Sequence, residues 1–451
     1  MEKGSNDSAL RARWRVVLML AGFSLVSYIQ RVNISVAAKF MMPELGLTQV
    51  QVGAIFSSFL VGYSLFQIPV GVLGDRLGPK RVLALAACSW AVVTFLTGFL
   101  PGRIFVMRGS GALLTLLALR FILGVGEAGT YPVAACAVAN WVPTSERALA
   151  NSVVETGLSL GSAVTPPLMA WLILQVGWRN SFYFSALIPC VLVAWWLRTM
   201  TDSPFNCPNI RKRDLDKLVS GGALCGRKRS VSTSWGSLLR NRNILLVSLS
   251  YACVGYTAYI FIFWLYTYLV DVRKFTLLLG GVFTSLPFIA ATLLTPLGGF
   301  VCDRLSNRTG KRLARRIIAI GGLTVAAALL LVGTLASGPY GAIAALSICF
   351  GFTEFTEGVF WSTTIDAAGQ DAGAACGVLN TFCNLGGIAS TALVPILVNR
   401  FGWLVALETG SVAALLGAVL WFAIDEEVVR VSAISQSEYS LTPSPTGPWT
   451  R

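Results

Sequence analysis

The sequence predicts an all-α polytopic membrane protein, with twelve transmembrane helices in two pseudo-symmetric six-helix bundles. Three observations point there. Of 451 residues, 55% are hydrophobic and 12% charged, and the mean hydropathy is +0.69, a balance that soluble domains do not show. Apolar stretches near the length a helix needs to cross the hydrocarbon layer recur along the whole chain. A charged turn also recurs at the same place in each half, 228 residues apart, which marks an internal repeat.

The spans are read, in order, at 16 to 38, 51 to 73, 82 to 100, 112 to 140, 150 to 176, 182 to 200, 244 to 270, 278 to 301, 316 to 336, 340 to 364, 375 to 398 and 403 to 424. Their even number puts both termini on one side. Short cytoplasmic loops collect Lys and Arg. With the N-terminus inside, and with Arg198 and Arg316 at inner span ends counted as inner, 26 of the 35 basic residues fall on the inner side, 7 on the outer side and 2 deep within spans. Both ends are therefore expected in the cytoplasm, at the inner membrane if the cell is bacterial. The net charge of +14 reads as this topology signal together with attraction to anionic lipid, and not as nucleic-acid binding.

Residues 1–200 form the first expected bundle, 201–243 a polar cytoplasmic linker, 244–424 the second bundle and 425–451 a disordered cytoplasmic tail. The first apolar run, preceded by Arg11, Arg13 and Arg15, has some signal-peptide character, but its removal would leave an odd helix count. The ten cysteines contain no C-x-x-C pair and suit small apolar packing roles. The chain has no histidine, which removes His-based nucleophile activation and His metal ligation. No metal, cofactor or catalytic residue is expected, so the chain does not read as an enzyme.

Polar residues inside the spans carry the functional signal. Arg31 sits within an apolar run, where a central arginine is unfavourable by roughly 2.5–3.5 kcal/mol and normally faces a bundle interior or aqueous cavity. Tyr28, Arg31 and Ser35 share a helix face at i, i+3 and i+7. In span 4, Arg120, Glu127 and Tyr131 do the same, beside Gly124, Gly126 and Gly129, which permit close helix approach or a local break. Further acids stand at membrane depth: Glu155 in span 5, and Glu354 and Glu357 in span 10, the latter two on a face with Trp361. Tyr63 and Gln67 share a face of span 2, as do Asn380 and Asn384 of span 11 and the span 7 tyrosines Tyr256, Tyr259 and Tyr266.

The repeated turn reads Gly74-Asp75-Arg76-Leu77-Gly78-Pro79-Lys80-Arg81 after span 2 and Cys302-Asp303-Arg304-Leu305 after span 8. With Gly71 four residues before Asp75, it resembles the loop motif of the major facilitator superfamily. Tyr28-x-x-Arg31-x-Asn33-x-Ser35 in span 1 narrows the resemblance, as do Arg120 and Glu127 followed by Tyr131-Pro132, Glu146-Arg147, and Gly177-Trp178-Arg179. A block from Glu354 through Trp361 and Asp366 to Asn384-Leu385-Gly386-Gly387 completes it. This set is similar to the superfamily's anion:cation symporter family, which includes bacterial galactonate and hexuronate transporters and the sialin and vesicular glutamate transporter branch.

That resemblance implies roles. Arg31 would bind a substrate carboxylate, since a guanidinium offers a bidentate fork and keeps its charge. Tyr28, Tyr63, Gln67, Asn380 and Asn384 would contact a polyhydroxylated anion, with Trp361 as wall or gate. Glu127 would be the proton-coupling acid, balanced between burial and a nearby arginine. Arg120, on the same helix, would tune that balance or gate the cytoplasmic end, and Glu354, Glu357 and Glu155 would supply a second titrating group. Asp75, Arg76, Asp303 and Arg304 would hold a conformational gate.

One residue departs from the pattern: Gln30 stands where bacterial sugar-acid members carry an acid, so a two-proton scheme has no group there. The expected function is proton-coupled symport of a small organic anion, a sugar acid or other carboxylate, by alternating access in a monomer. An exporter or antiporter of the same fold, and a non-transporting nutrient sensor, are the alternatives.

Overall fold

The structure is a computed structural model, and it describes residues 6–101, 109–143, 146–207, 215, 216, 218, 220, 240–368 and 372–424. Most of the linker at 201–243 and the whole tail at 425–451 lie outside the described residues. Among the described residues the chain is helical, without strands.

Ten continuous helical stretches are long and apolar enough to cross a bilayer, and two of them each hold two spans. Arg147–Thr199 turns at Gly177 (φ 80°, ψ 161°) and Ala372–Leu420 turns at Gly402 (φ 84°, ψ 172°), which restores the expected twelve. Spans 2 and 3 meet at Gly78 (φ 88°, ψ 149°), and spans 8 and 9 at Gly310 (φ 87°, ψ 154°). All four turns use one backbone conformation that only glycine adopts without strain. Each is matched by its counterpart in the other half.

Several spans are broken, and the breaks in spans 4, 8 and 10 lie beside polar residues. Span 4 is Ser110–Glu127 followed by Thr130–Trp141. Span 10 is Pro339–Phe355 followed by Glu357–Ala368. Span 7 is Arg242–Phe263 followed by Leu265–Asp271. Spans 1, 2 and 9 are single helices, Asn6–Leu45, Gln49–Leu77 and Lys311–Leu335. Span 8 comprises Leu277–Thr284 and Leu286–Thr309.

Within the first half, span 1 packs on spans 5 and 6 and span 2 on span 4; within the second, span 7 packs on spans 11 and 12 and span 10 on spans 8 and 9. Small residues permit these approaches. A methyl group at Gly124 would lie 2.1 Å from the Phe59 carbonyl oxygen, and one at Gly126 2.3 Å from Ser89 Oγ. Span 4 thus touches span 2 almost backbone to backbone and meets span 3 at the Ser89 side chain. That contact presses Phe59 and Tyr63 of span 2 inward.

The four glycine turns give a direct stability test. Gly177→Ala and Gly402→Ala each place a Cβ in glycine-only backbone space, and each is expected to destabilise the protein by about 1–3 kcal/mol. Thermal unfolding of the purified full-length chain reads this as a lowered Tm; an unchanged Tm in both variants would show that the turns relax without strain.

Candidate functional site

Arg31 lies in span 1 with 3% of its surface exposed, and Glu127 at the span 4 break is fully buried. Nε and Nη2 of Arg31 donate to the same oxygen, Glu127 Oε2, at 3.2 and 3.0 Å, and Nη1 donates to the Tyr28 hydroxyl at 3.1 Å. The rings of Tyr28, Phe59 and Tyr63 enclose the guanidinium, with centroids 4.4, 4.9 and 4.7 Å from Cζ. Aromatic faces attract a cation most strongly when water is excluded. Glu127 Oε1 is buried without a hydrogen-bond partner.

This geometry restricts what can change. The arginine cannot be deprotonated in a protein, so any change of charge in the pair falls on the carboxyl. If Glu127 takes a proton, Arg31 becomes an uncompensated buried charge, which is strongly unfavourable. An anion arriving from outside the protein would relieve it.

Arg120 does not pair with Glu127. Its Nη1 donates to the Gln30 carbonyl oxygen at 3.0 Å and Nη2 to Asn33 Oδ1 at 3.1 Å, while Cζ sits 5.8 Å from the Phe182 ring. It therefore braces span 4 against span 1 on either side of Arg31. On the topology expected from the basic residues, with the N-terminus inside, span 4 runs inward, and Arg120, seven positions before Glu127, lies outward of it.

Gln30 is fully buried and faces away from Arg31. Its Nε2 donates to the Ser185 carbonyl oxygen at 2.9 Å, and its Oε1 accepts from Thr94 Oγ1 at 2.8 Å. One donor and one acceptor are both used, which an amide supplies and a carboxylate does not. The departure from the family pattern thus serves packing between spans 1, 3 and 6.

The remaining candidates divide. Tyr63 lies within hydrogen-bonding reach of Asn380 across the two halves. Gln67, one turn further along span 2, is buried with its Oε1 unpartnered. Asn384 is already satisfied, accepting from the Tyr259 hydroxyl at 2.8 Å and donating to the Asn380 carbonyl oxygen at 2.7 Å, so it holds spans 7 and 11 together. Tyr256 bonds Thr409, Tyr266 bonds the Leu277 carbonyl, and Ser35 bonds the Val32 carbonyl; none reaches the Arg31 pair.

Trp361 donates from Nε1 to Glu357 Oε1 at 2.7 Å, and the Tyr251 hydroxyl donates to the same oxygen. Glu357 therefore fixes the indole. Glu354 is half-buried without an ion pair among the described residues, and Glu155 of span 5 is exposed. These three carboxyls are close enough to act on one another electrostatically.

At the ends of the repeated turns, Arg76, Asp303 and Arg304 are exposed, and the Asp75 side chain lies outside the described residues. The ion pairs found nearby use other residues. Arg13 meets Glu146 at 3.0 Å, and Asp366 meets Arg315 at 2.7 Å and Lys311 at 3.7 Å. Each joins helices of one half. Phe59 and Tyr251 are absent from the sequence-based expectations, although Phe59 shares Tyr63's face at i−4; Tyr259, expected only as part of the span 7 tyrosine face, stands 228 residues after Arg31.

The chain is 33% identical to the "Probable sulfoacetate transporter SauU" of Cupriavidus necator, over 87% of this chain and 89% of that protein. It is 29% identical to the "Probable galactarate/D-glucarate transporter GudP" of Escherichia coli over 95% and 96% of the two chains. It is also 29% identical to an Escherichia coli "D-galactonate transporter" over 93% and 97%. A solved bacterial homologue of the lysosomal transporter Spinster superposes with a TM-score of 0.71 at 16% identity, over 92% of this chain and 97% of the other, which shows the fold. Residues 20–391 match the family model described as Major Facilitator Superfamily. The repeated glycine turns, the twelve spans and these matches agree, and the chain belongs to the major facilitator superfamily.

Proposed function

We propose that the protein is a proton-coupled symporter carrying a small organic anion, a sugar acid or related carboxylate, by alternating access, as a monomer with both termini cytoplasmic. In this reading the bundles at 1–200 and 244–424 rock against each other about a central site. The observation that carries it is the buried Arg31–Glu127 pair, in which only Glu127 can change charge. Supporting it, the similar transporters are named for sulfoacetate, galactarate, glucarate and galactonate, all of which are small carboxylates.

In the cycle, Glu127 takes a proton at its unpartnered Oε1 and releases Arg31. The substrate carboxylate then occupies the guanidinium edge, where a planar anion fits between the aromatic faces. Tyr63, Gln67 and Asn380 contact the hydroxyls, and Trp361, fixed by Glu357, forms the wall. Glu155, Glu354 and Glu357 repel a bare anion when ionised and donate hydrogen bonds to it when protonated, so we place them on the proton path. After release inward, Glu127 loses its proton and recaptures Arg31. Binding and protonation are coupled because a single arginine serves two anions in turn.

Uptake into proteoliposomes under an imposed pH gradient, with labelled glucarate or galactonate as probe, tests this. Arg31→Lys is expected to reduce uptake to background, because an ammonium lacks the fork and the stacking plane. Glu127→Gln is expected to keep exchange of labelled for unlabelled substrate while losing proton-driven accumulation. Accumulation against a gradient by Glu127→Gln would refute the coupling. Gln30→Ala should destabilise the protein by about 1–3 kcal/mol through the polar groups it leaves unpaired, with the number of protons carried per anion unchanged. A changed proton count would give Gln30 a coupling role.

A further inference from the structure

Span 9 starts on the side that the basic residues assign to the cytoplasm, and it starts in a run of cations. Lys311, Arg312, Arg315 and Arg316 follow Gly310 within two turns. A cleft of about 320 Å³ opens there, lined by Thr309, Gly310, Lys311, Arg312, Leu313 and Arg316. Among the described residues no carboxylate lines it. The neighbouring acid, Asp366, is held by Arg315 at 2.7 Å and reaches Lys311 only at 3.7 Å.

Arg316 is fixed at the edge of the cleft. Its Nη2 donates to the carbonyl oxygens of Phe422, at 3.2 Å, and Ile424, which ties the start of span 9 to the end of span 12. Its Nε is buried and has no partner among the described residues. A guanidinium so held keeps a donor for an anion's oxygen, and a buried donor left unmet is unfavourable.

The first half shows what fits such a turn. Gly78 and Gly310 share one backbone conformation, φ 88° and 87° with ψ 149° and 154°, and each opens the third span of its half. At Gly78 a carboxylate fills the turn: the Lys80 amide donates to Asp202 Oδ1 at 2.6 Å, and a methyl on Gly78 would lie 2.8 Å from that oxygen. At Gly310 an added methyl would meet no described atom within 4 Å. The anion-accepting turn is thus present twice, once with its acid built in and once with three cationic side chains around it.

The cleft also borders apolar surface. Leu313 in its lining is 50% exposed, Ile317 46%, and Phe422, whose carbonyl Arg316 holds, 66%. Leu313 and Ile317 share a helix face at i and i+4. A ligand seated by an anionic group in the cleft would therefore continue along membrane-facing side chains. A free anion uses only the cations, whereas an anionic amphiphile uses both features.

We propose that this cleft binds the phosphate of an anionic phospholipid from the cytoplasmic leaflet, with its acyl chains along Leu313, Ile317 and Phe422. Through Arg316 the lipid reinforces the junction of spans 9 and 12. The proposal depends on neither the identity of the transported anion nor proton coupling.

Thermal unfolding of the delipidated full-length protein in an uncharged detergent, titrated with phosphatidylglycerol, phosphatidylcholine or inorganic phosphate and without substrate, tests this. Phosphatidylglycerol is expected to raise Tm, while phosphatidylcholine and phosphate leave it unchanged. Lys311→Gln with Arg312→Gln should raise the phosphatidylglycerol midpoint about thirtyfold, from the loss of two cations at the lipid surface. If that variant does not fold, Lys311→Gln alone, at a side chain 72% exposed, should raise it about fivefold. Lys80→Gln with Arg81→Gln, at the turn that Asp202 fills, should leave the midpoint in place. Equal stabilisation by phosphatidylcholine, a midpoint unmoved by the Lys311 variants, or an equal shift in the Lys80 and Arg81 variant would overturn the proposal. A matching rise with inorganic phosphate would overturn the lipid as ligand. A response seen only after removal of residues 425–451 would do the same, because it would assign the cleft to the carboxylates of Asp425, Glu426 and Glu427.

Discussion

A permanently charged guanidinium buried in a membrane protein must have an anion beside it, and much of the site's geometry follows from meeting that demand at Arg31. Span 4 breaks after Glu127, which sets the carboxyl at a helix end facing span 1. Glycines in span 4 allow span 2 to approach closely enough for Phe59 and Tyr63 to cover the guanidinium faces. Arg120 braces span 1 from both sides of Arg31 through Gln30 and Asn33. The pair is held rigidly, yet one of its two charges can be removed by a proton. A carrier needs that combination of a fixed binding group and a removable competitor.

The two halves share a frame but not a chemistry. The glycine turns and the charged turn repeat, whereas the repeat partner of Arg31 is Tyr259, and that of Glu127 is Phe355, flanked by Glu354 and Glu357. Spans 4 and 10 are both broken at these acids. In the first half the acid is neutralised by an arginine; in the second, Glu357 is held by Tyr251 and Trp361 and no cation faces it among the described residues. The symmetric frame suits a rocking motion, while the charges are asymmetric: one half holds the Arg31–Glu127 pair and the other holds Glu354 and Glu357.

Much of this could be read from the sequence, because the signals involved are local or periodic. Span count, the Arg31 face and the Glu127 break site all follow from apolar length, helical spacing and neighbouring glycines. Gln30 and Arg120 could not be resolved that way. Whether Gln30 faces Arg31 or the span 3 and 6 interface depends on Thr94 and Ser185, which are 64 and 155 residues distant. Asn384 likewise reads as a ligand contact in sequence, and the Tyr259 hydroxyl that its amide oxygen accepts from lies 125 residues away.

The central claim, that Arg31 exchanges Glu127 for a substrate anion, makes binding and proton uptake one event. Calorimetric titration of the purified protein with glucarate or sulfoacetate, repeated in buffers of different ionisation enthalpy, measures the protons taken up per anion bound. About one proton per anion is predicted at a pH where Glu127 is ionised in the free protein, falling to none in Glu127→Gln. Binding with no proton uptake, or with uptake that persists in Glu127→Gln, would contradict the account.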